Sequence, residues 1–323
     1  MHDPLSLIEQ FSRLRVLVIG EAILDRYLYG SATRLCQETP MPIVTLSHTV
    51  DQPGGAANTA GNLSSLGAQV SLISVIGQDW EGIQLQQALQ ERKVDTHQLL
   101  SASNHTTLTK QRVMDGDRLV LRFDQGSVDS ISTDLEQQVL LSLKTNWSKY
   151  DAVIISDYGY GILTPRVIHT IAQLQLQHPK LLVVDAKELA LYKTLRATAV
   201  KPNYQQVIRL LNKPEPIERR NFSRSDYVQY HAEEILELTG AKIVAITLDQ
   251  DGAVILQTDQ PPHQLCANPA CPTQTIGAED TFTAAFTVAL AIGANPTIAA
   301  ELAAAAAAIV VNKSGTQFVP VRN

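Results

Sequence analysis

The chain has 323 residues, 45% of them hydrophobic and 18% charged, with a formal net charge of −6. That size and balance fit one large domain with a sizeable core, and the acidic charge argues against a nucleic-acid or anionic-membrane partner. The longest apolar stretch, 303–311, is too short to span a bilayer, and the first residues lack the basic start and apolar run of a signal peptide.

Three cysteines, Cys36, Cys266 and Cys271, form no metal pattern and suit a reducing cytoplasm. Cys266 and Cys271 are close enough for a redox pair, but two ordinary thiols are the simpler reading.

Residues 5–14 carry helical apolar spacing, and 15–20 (Arg-Val-Leu-Val-Ile-Gly) read as a buried parallel strand. Ligands of open α/β sheets gather beyond the carboxyl ends of such strands. Asp25 follows closely, either as an acceptor for substrate hydroxyls or as a surface-loop aspartate. The stretch 27–50 is short, β-leaning and proline-punctuated, an excursion from the core. Pro53-Gly54-Gly55-Ala56-Ala57-Asn58 then opens a helix to about Leu66. Gly54 and Gly55 permit close backbone approach to a ligand, and Asn58 can both donate and accept.

A strand at 70–76 and an amphipathic helix at 80–92 come next. Residues 106–113 and 118–123 form a hairpin around Asp115-Gly116-Asp117. Apart from Thr107, the polar residues Lys110, Arg112 and Arg122 fall at even spacings and share one face. That face turns either to solvent or to a phosphorylated substrate. With the earlier excursion, the hairpin makes a small sheet over the cleft.

From Asp129 helix and strand alternate: a helix to about Trp147, then strands at 152–156, 181–185, 197–201, 242–248 and 252–257. The rhythm predicts a parallel, doubly wound sheet with helices on both faces. Several strands end in polar clusters: Ser156-Asp157-Tyr158-Gly159, Asp185-Ala186-Lys187 and Lys201-Pro202-Asn203. Residues 212–228 read as a loop insertion, and the alanines 303–308 as a closely packed helix. No internal repeat is evident.

Gly277-Ala278-Glu279-Asp280 opens a helix whose Phe282, Phe286 and Leu290 recur every four residues. Its first amides and macrodipole can hold a phosphate or a developing negative charge. Asp280, in the first turn, either takes a proton from a substrate hydroxyl or caps the helix. Other enzyme classes lack their signatures: no glycine-rich dinucleotide turn follows Gly20, and no Gly-x-Ser-x-Gly occurs.

With these residues in place, nearly the whole chain resembles the PfkB (ribokinase-like) carbohydrate kinases, and within them the heptose-phosphate kinase branch. The resemblance implies an α/β, ribokinase-like, doubly wound and mostly parallel sheet with helices on both faces. A small β lid, from about 27–50 and 105–126, would complete a single domain over 1–323 and mediate a homodimer. The implied reaction moves the γ-phosphoryl of ATP, with Mg²⁺, to a hydroxyl of a sugar or sugar phosphate.

By position, Asp280 would be the base, with Gly277, Ala278 and Glu279 in the anion hole. Asp25, Gly54, Gly55, Asn58 and Asp157 would hold the sugar, and Lys110, Arg112 and Arg122 its phosphate. Lys187, Asn203, Thr247 and Asp249 would lie by the nucleotide, and Gln206 by the metal. A cytoplasmic location follows, and the nucleotidyltransferase that can be fused to heptose-phosphate kinases is expected to be absent.

The nucleotide side departs from the family pattern. Glu279 replaces the second glycine of Gly-Ala-Gly-Asp, where it either repels the phosphoryl, turns outward or takes the metal. Gln206 replaces the glutamate of Asn-x-x-Glu, and Thr247-Leu248-Asp249 adds a carboxylate. Gln274-Thr275 replaces the usual Asp-Thr, Tyr160 stands where the heptose branch has lysine, and Arg118-Leu119 where it has paired glutamines. Two expectations follow: a kinase with weakened activity, or a non-catalytic sugar-phosphate sensor that works with a protein partner.

Overall fold

Along the first strand Val16 and Val18 face one layer and Leu17 and Ile19 the other, so the strand is buried on both sides. A computed structural model describes residues 4–213, 223–266 and 277–311. The chain opens with α1 (Pro4–Arg13) and β1 (Arg15–Gly20), then leaves the core along β2 (Ala22–Leu35) and β3 (Pro42–Gly55). It returns through α2 (Ala56–Ser65), β4 (Gln69–Gly77), α3 (Trp80–Glu91) and β5 (Leu99–Ala102), followed by the hairpin of β6 (Thr109–Asp115) and β7 (Arg118–Gln125).

The chain then continues through α4 (Thr133–Asn146), β8 (Ala152–Asp157), α5 (Pro165–Gln177), β9 (Leu181–Ala186) and β10 (Ala199–Val200). Helices α6 (Tyr204–Leu211), α7 (Arg224–Tyr230) and α8 (Ala232–Thr239) lead to β11 (Ile243–Thr247). Strands β12 (Ala253–Gln257) and β13 (His263–Leu265) and helices α9 (Ala278–Ala291) and α10 (Pro296–Val311) complete the described elements.

Among the described residues the strands form a nine-stranded sheet, ordered β13-β12-β11-β10-β9-β8-β1-β4-β5, and a four-stranded one, β3-β2-β6-β7. In the larger sheet all strands run the same way except β12, which pairs antiparallel with β11 and β13. Residues 253–257 therefore leave the parallel run: the turn Asp249–Asp251 is too short for a crossover, so β12 folds straight back. From β1 the chain winds one way through β4 and the other way through β8, and a crevice opens at their carboxyl ends. One core joins this sheet to α4, α5, α6, α7 and α8, the other to α2, α3, α9 and α10. Ala299, Ala300 and Ala303 are fully buried, as expected of a closely packed alanine helix.

Two local expectations need correction. The excursion is not short: β2 and β3 are 14 residues each, and β2 begins directly after β1, which puts Asp25 on a strand rather than a loop. The stretch read as a loop contains α7, started by a reciprocal capping box between Ser223 and Asp226; residues 214–222 lie outside the described residues. Among the described residues no helix is long and apolar enough to cross a membrane.

Candidate active site

Helix α9 starts from Gly277, whose φ of 83° suits a residue without a Cβ, and among the described residues no side chain caps it. Asp280 therefore does not cap its own helix. Its Oδ2 accepts from Asn58 Nδ2 at 2.6 Å, its Oδ1 from the Tyr158 hydroxyl at 2.6 Å, and Thr59 Oγ1 stands at 3.5 Å. The Asn58 amide is itself oriented, because its Oδ1 accepts from Asn62, whose own Oδ1 accepts from Thr281. Burial pushes the Asp280 carboxyl up to about 6 against these donors. A carboxylate in that range can accept a proton near neutrality.

The small sheet supplies the opposite wall. Asp25 on β2 lies beside Lys110 of β6, and its Oδ1 is 2.7 Å from Arg112 Nη1, with both side chains buried. A Cβ on Gly54 would sit 2.2 Å from Asp25 Oδ2, and one on Gly55 (φ 57°) 2.5 Å from the Glu21 carbonyl oxygen. These glycines are thus required by the chain's own packing around Asp25 and Glu21. Arg112 pairs across the hairpin with Arg122, and Lys110 with Asp124, so the three cations share the Asp25 face. Thr107 does not join them; it holds Asp79 and the Gly77 amide.

Arg122 is ion-paired to Asp124 at 2.6 Å. Among the described residues Lys110 has no ion pair. Its ammonium lies 5.3 Å from the Tyr158 ring centroid and 5.8 Å from that of Tyr160. Burial holds the Lys110 pKa below its ordinary value.

At the end of β8, Asp157 accepts from the Tyr192 hydroxyl and the Gly159 amide, so both its oxygens shape the turn that follows. Glu21, fully buried, was not singled out from sequence. It accepts from the amides of Tyr158 at 2.8 Å and Ile162 at 3.2 Å, fixing the loop that carries Tyr158. Burial, then the neighbouring Asp157, push its carboxyl up to about 7.

On the nucleotide side, charged and polar groups are tied to one another. Lys201, with no exposed side-chain surface, places Nζ 3.1 Å from Glu279 and 3.1 Å from Asp185. Burial alone would lower its pKa, but the two carboxylates outweigh that and hold it above the ordinary range. Lys201 in turn keeps Glu279 below the usual carboxylate value. The signal available in the sequence was a lysine before Pro202-Asn203 and a glutamate in the anion hole, each the other's counter-charge.

Asn203 and Gln206 form a reciprocal capping box at α6, and Gln206 Nε2 also donates to the Ala186 carbonyl. Lys187 is exposed after β9. Asp249 is exposed and ion-paired to Arg224 of α7. The Thr247 hydroxyl is buried at the end of β11 without a hydrogen-bond partner among the described residues, and it is the polar atom here best placed to await a ligand. With Asp185 and Glu279 taken by Lys201 and the Gln206 amide used in capping, this donor set does not fit a protein-held divalent ion. Asn203, the Thr247 hydroxyl and the α9 amides fit a polyphosphate better.

Among curated proteins, the sequence is 33% identical to the bifunctional protein HldE of Desulfatibacillum aliphaticivorans, over 96% of this chain and 62% of that protein. It is also 33% identical to that of Helicobacter acinonychis, over 94% of this chain and 64% of that protein. The chain thus spans a little under two thirds of the length of these relatives. The fold matches Escherichia coli phosphofructokinase-2 in complex with potassium, with a TM-score of 0.77 at 20% identity, covering 95% of this chain and 96% of that one. It also matches Arabidopsis thaliana ribokinase complexed with ribose and ATP, with a TM-score of 0.70 at 20% identity over 94% of both chains. Residues 13–322 match the pfkB family carbohydrate kinase, and the chain belongs to that family.

Proposed function

We propose that the protein is an ATP-dependent kinase for a phosphorylated sugar, heptose phosphate being the favoured class. The observation that carries this reading is Asp280: a buried carboxylate with a pKa of about 6, in the first turn of α9. In the proposed reaction Asp280 takes the proton of the acceptor hydroxyl as that oxygen attacks the γ-phosphorus of ATP. The bond to the ADP oxygen breaks, and ADP leaves. Asn58 orients the carboxylate throughout. The amides at the start of α9 stabilise charge developing on the transferring phosphoryl.

Asp25, with Gly54 and Gly55 beside it, holds sugar hydroxyls, and the Lys110, Arg112 and Arg122 face takes the sugar's phosphate. Asn203, Thr247 and Lys187 line the nucleotide side. The four-stranded sheet acts as a lid, its outer face pairs two copies of the chain, and the protein works in the cytoplasm.

A second reading is favoured by one observation: Lys201, Glu279 and Gln206 are committed to one another or to capping rather than to a metal–nucleotide complex. On that reading the protein binds sugar phosphate without turnover and signals through a partner. The deciding experiment is ADP release by the purified protein with Mg²⁺ and a panel of sugars and sugar phosphates, with Asp280→Asn as control. Release that requires a sugar phosphate and vanishes in the variant supports the kinase. Sugar-phosphate binding without release supports the sensor.

A further inference from the structure

Tyr158 touches both halves of the site. Its hydroxyl donates to Asp280 Oδ1 at 2.6 Å, and the Lys110 ammonium covers its ring at 5.3 Å from the centroid. Arg112 is held by Asp25 and Arg122 by Asp124, which leaves Lys110 as the cation of this face without a carboxylate ion pair among the described residues.

We propose that Tyr158 is a positioning residue that couples the lid to the base: an anion drawn to Lys110 lifts the ammonium from the ring, and the Tyr158 hydroxyl then yields Asp280 Oδ1 to the acceptor hydroxyl. The inference rests on the kinase reading, which assigns the roles of Asp280 and the lid face.

Three physical points support it. A cation–π contact is weaker than a charge-assisted ammonium–phosphate bond, so a phosphate wins Lys110. A base must approach the hydroxyl it deprotonates to hydrogen-bond distance, and both Asp280 oxygens already have close donors. Each oxygen keeps a second lone pair, so the acceptor hydroxyl competes at Asp280 with whichever donor can move. Asn58 is buried and locked through Asn62 and Thr281, whereas Tyr158 is half-buried on a loop. The other charged groups facing Asp280 are Asp185, Lys201 and, through Tyr158, Glu279, and the ion pairs of Lys201 bind these to one another. The lid therefore reaches Asp280 through Tyr158. Loss of the phenol donor also leaves the carboxylate more basic, so the base strengthens when the substrate's phosphate is seated.

The test is calorimetric titration with inorganic phosphate of the wild type and of Tyr158→Phe. It is paired with ¹⁹F spectra of the 3-fluorotyrosine-labelled protein, in which Tyr158→Phe identifies the Tyr158 line. The variant has no hydrogen bond to surrender, so it should bind phosphate about fivefold more tightly. In the wild type, saturating phosphate should move the Tyr158 line, and in Lys110→Met phosphate should leave it in place. Absence of phosphate binding to the wild type, equal or weaker binding in Tyr158→Phe, an unmoved Tyr158 line, or the same movement in Lys110→Met would each overturn the proposal. None of these measurements uses ATP. A chain that fails as a kinase can pass them, and a working kinase can fail them.

Discussion

The Lys201 ammonium sits 3.1 Å from the Glu279 carboxylate, in the helix-start motif where the family usually has glycine. The carboxylate that would repel a phosphoryl group is instead neutralised from within, and Asp185 shares the same lysine. Removing the ammonium leaves two carboxylates facing each other. Lys201→Met should therefore cost about 3–5 kcal/mol in urea denaturation. Glu279→Gln should cost clearly less, because that side chain keeps 45% of its surface in solvent and Asp185 still pairs with Lys201. Equal stabilities for wild type and Lys201→Met would contradict the ion cluster.

Gln206 holds Asn203 N through Oε1 and the Ala186 carbonyl through Nε2. A glutamate can accept but cannot donate when ionised, so Gln206→Glu loses the second bond. The single variant should lose about 1 kcal/mol of stability at neutral pH. Combined with Glu279→Gly, which removes the carboxylate from the anion hole, it should nevertheless raise ATP turnover. A double variant with unchanged turnover would contradict a role for these two positions in limiting ATP use.

Glu21 yields a pH signature. Its folded pKa is about 7 against an ordinary 4.5, raised first by burial and then by Asp157. Between those values the native state keeps a proton that the unfolded chain releases. Stability should therefore fall as pH rises from 4.5 to about 7, by on the order of 3 kcal/mol from this group. Asp280 adds a fall of the same sign that ends near 6. Denaturation across this range should show a flatter slope in Glu21→Gln, and parallel curves would refute the assignment.

The outer face of the small sheet bears on association. Leu121 and Phe123 flank Arg122 along β7 with 55% and 41% of their surface exposed, while Arg122 between them faces the site. Such a stripe fits a second copy of the chain. Sedimentation should show a dimer for the wild type and a monomer for Leu121→Asp. A wild-type monomer at micromolar concentration would count against pairing through this sheet.

The legible parts of the sequence were those governed by local period. Strands β1 and β8 are buried on both faces over 16–19 and 152–155, which read as unbroken apolar runs. Lys110, Arg112 and Arg122 were placed on one face by the two-residue period of a hairpin. What escaped depends on distant partners. Lys201 and Glu279 meet across 78 positions, and Glu21 acquires its role from amides more than 130 residues away. The short helix α7 was hidden in a charged stretch whose one local clue was its Ser223 and Asp226 capping pair.

The most direct test of Asp280 as the base is the pH dependence of sugar-phosphate-dependent ADP release. With a carboxyl titrating at about 6, turnover should rise through that pH and level off above it, and Asp280→Asn should remove it at every pH. A rate that is flat across this range, or that survives in Asp280→Asn, would contradict the account.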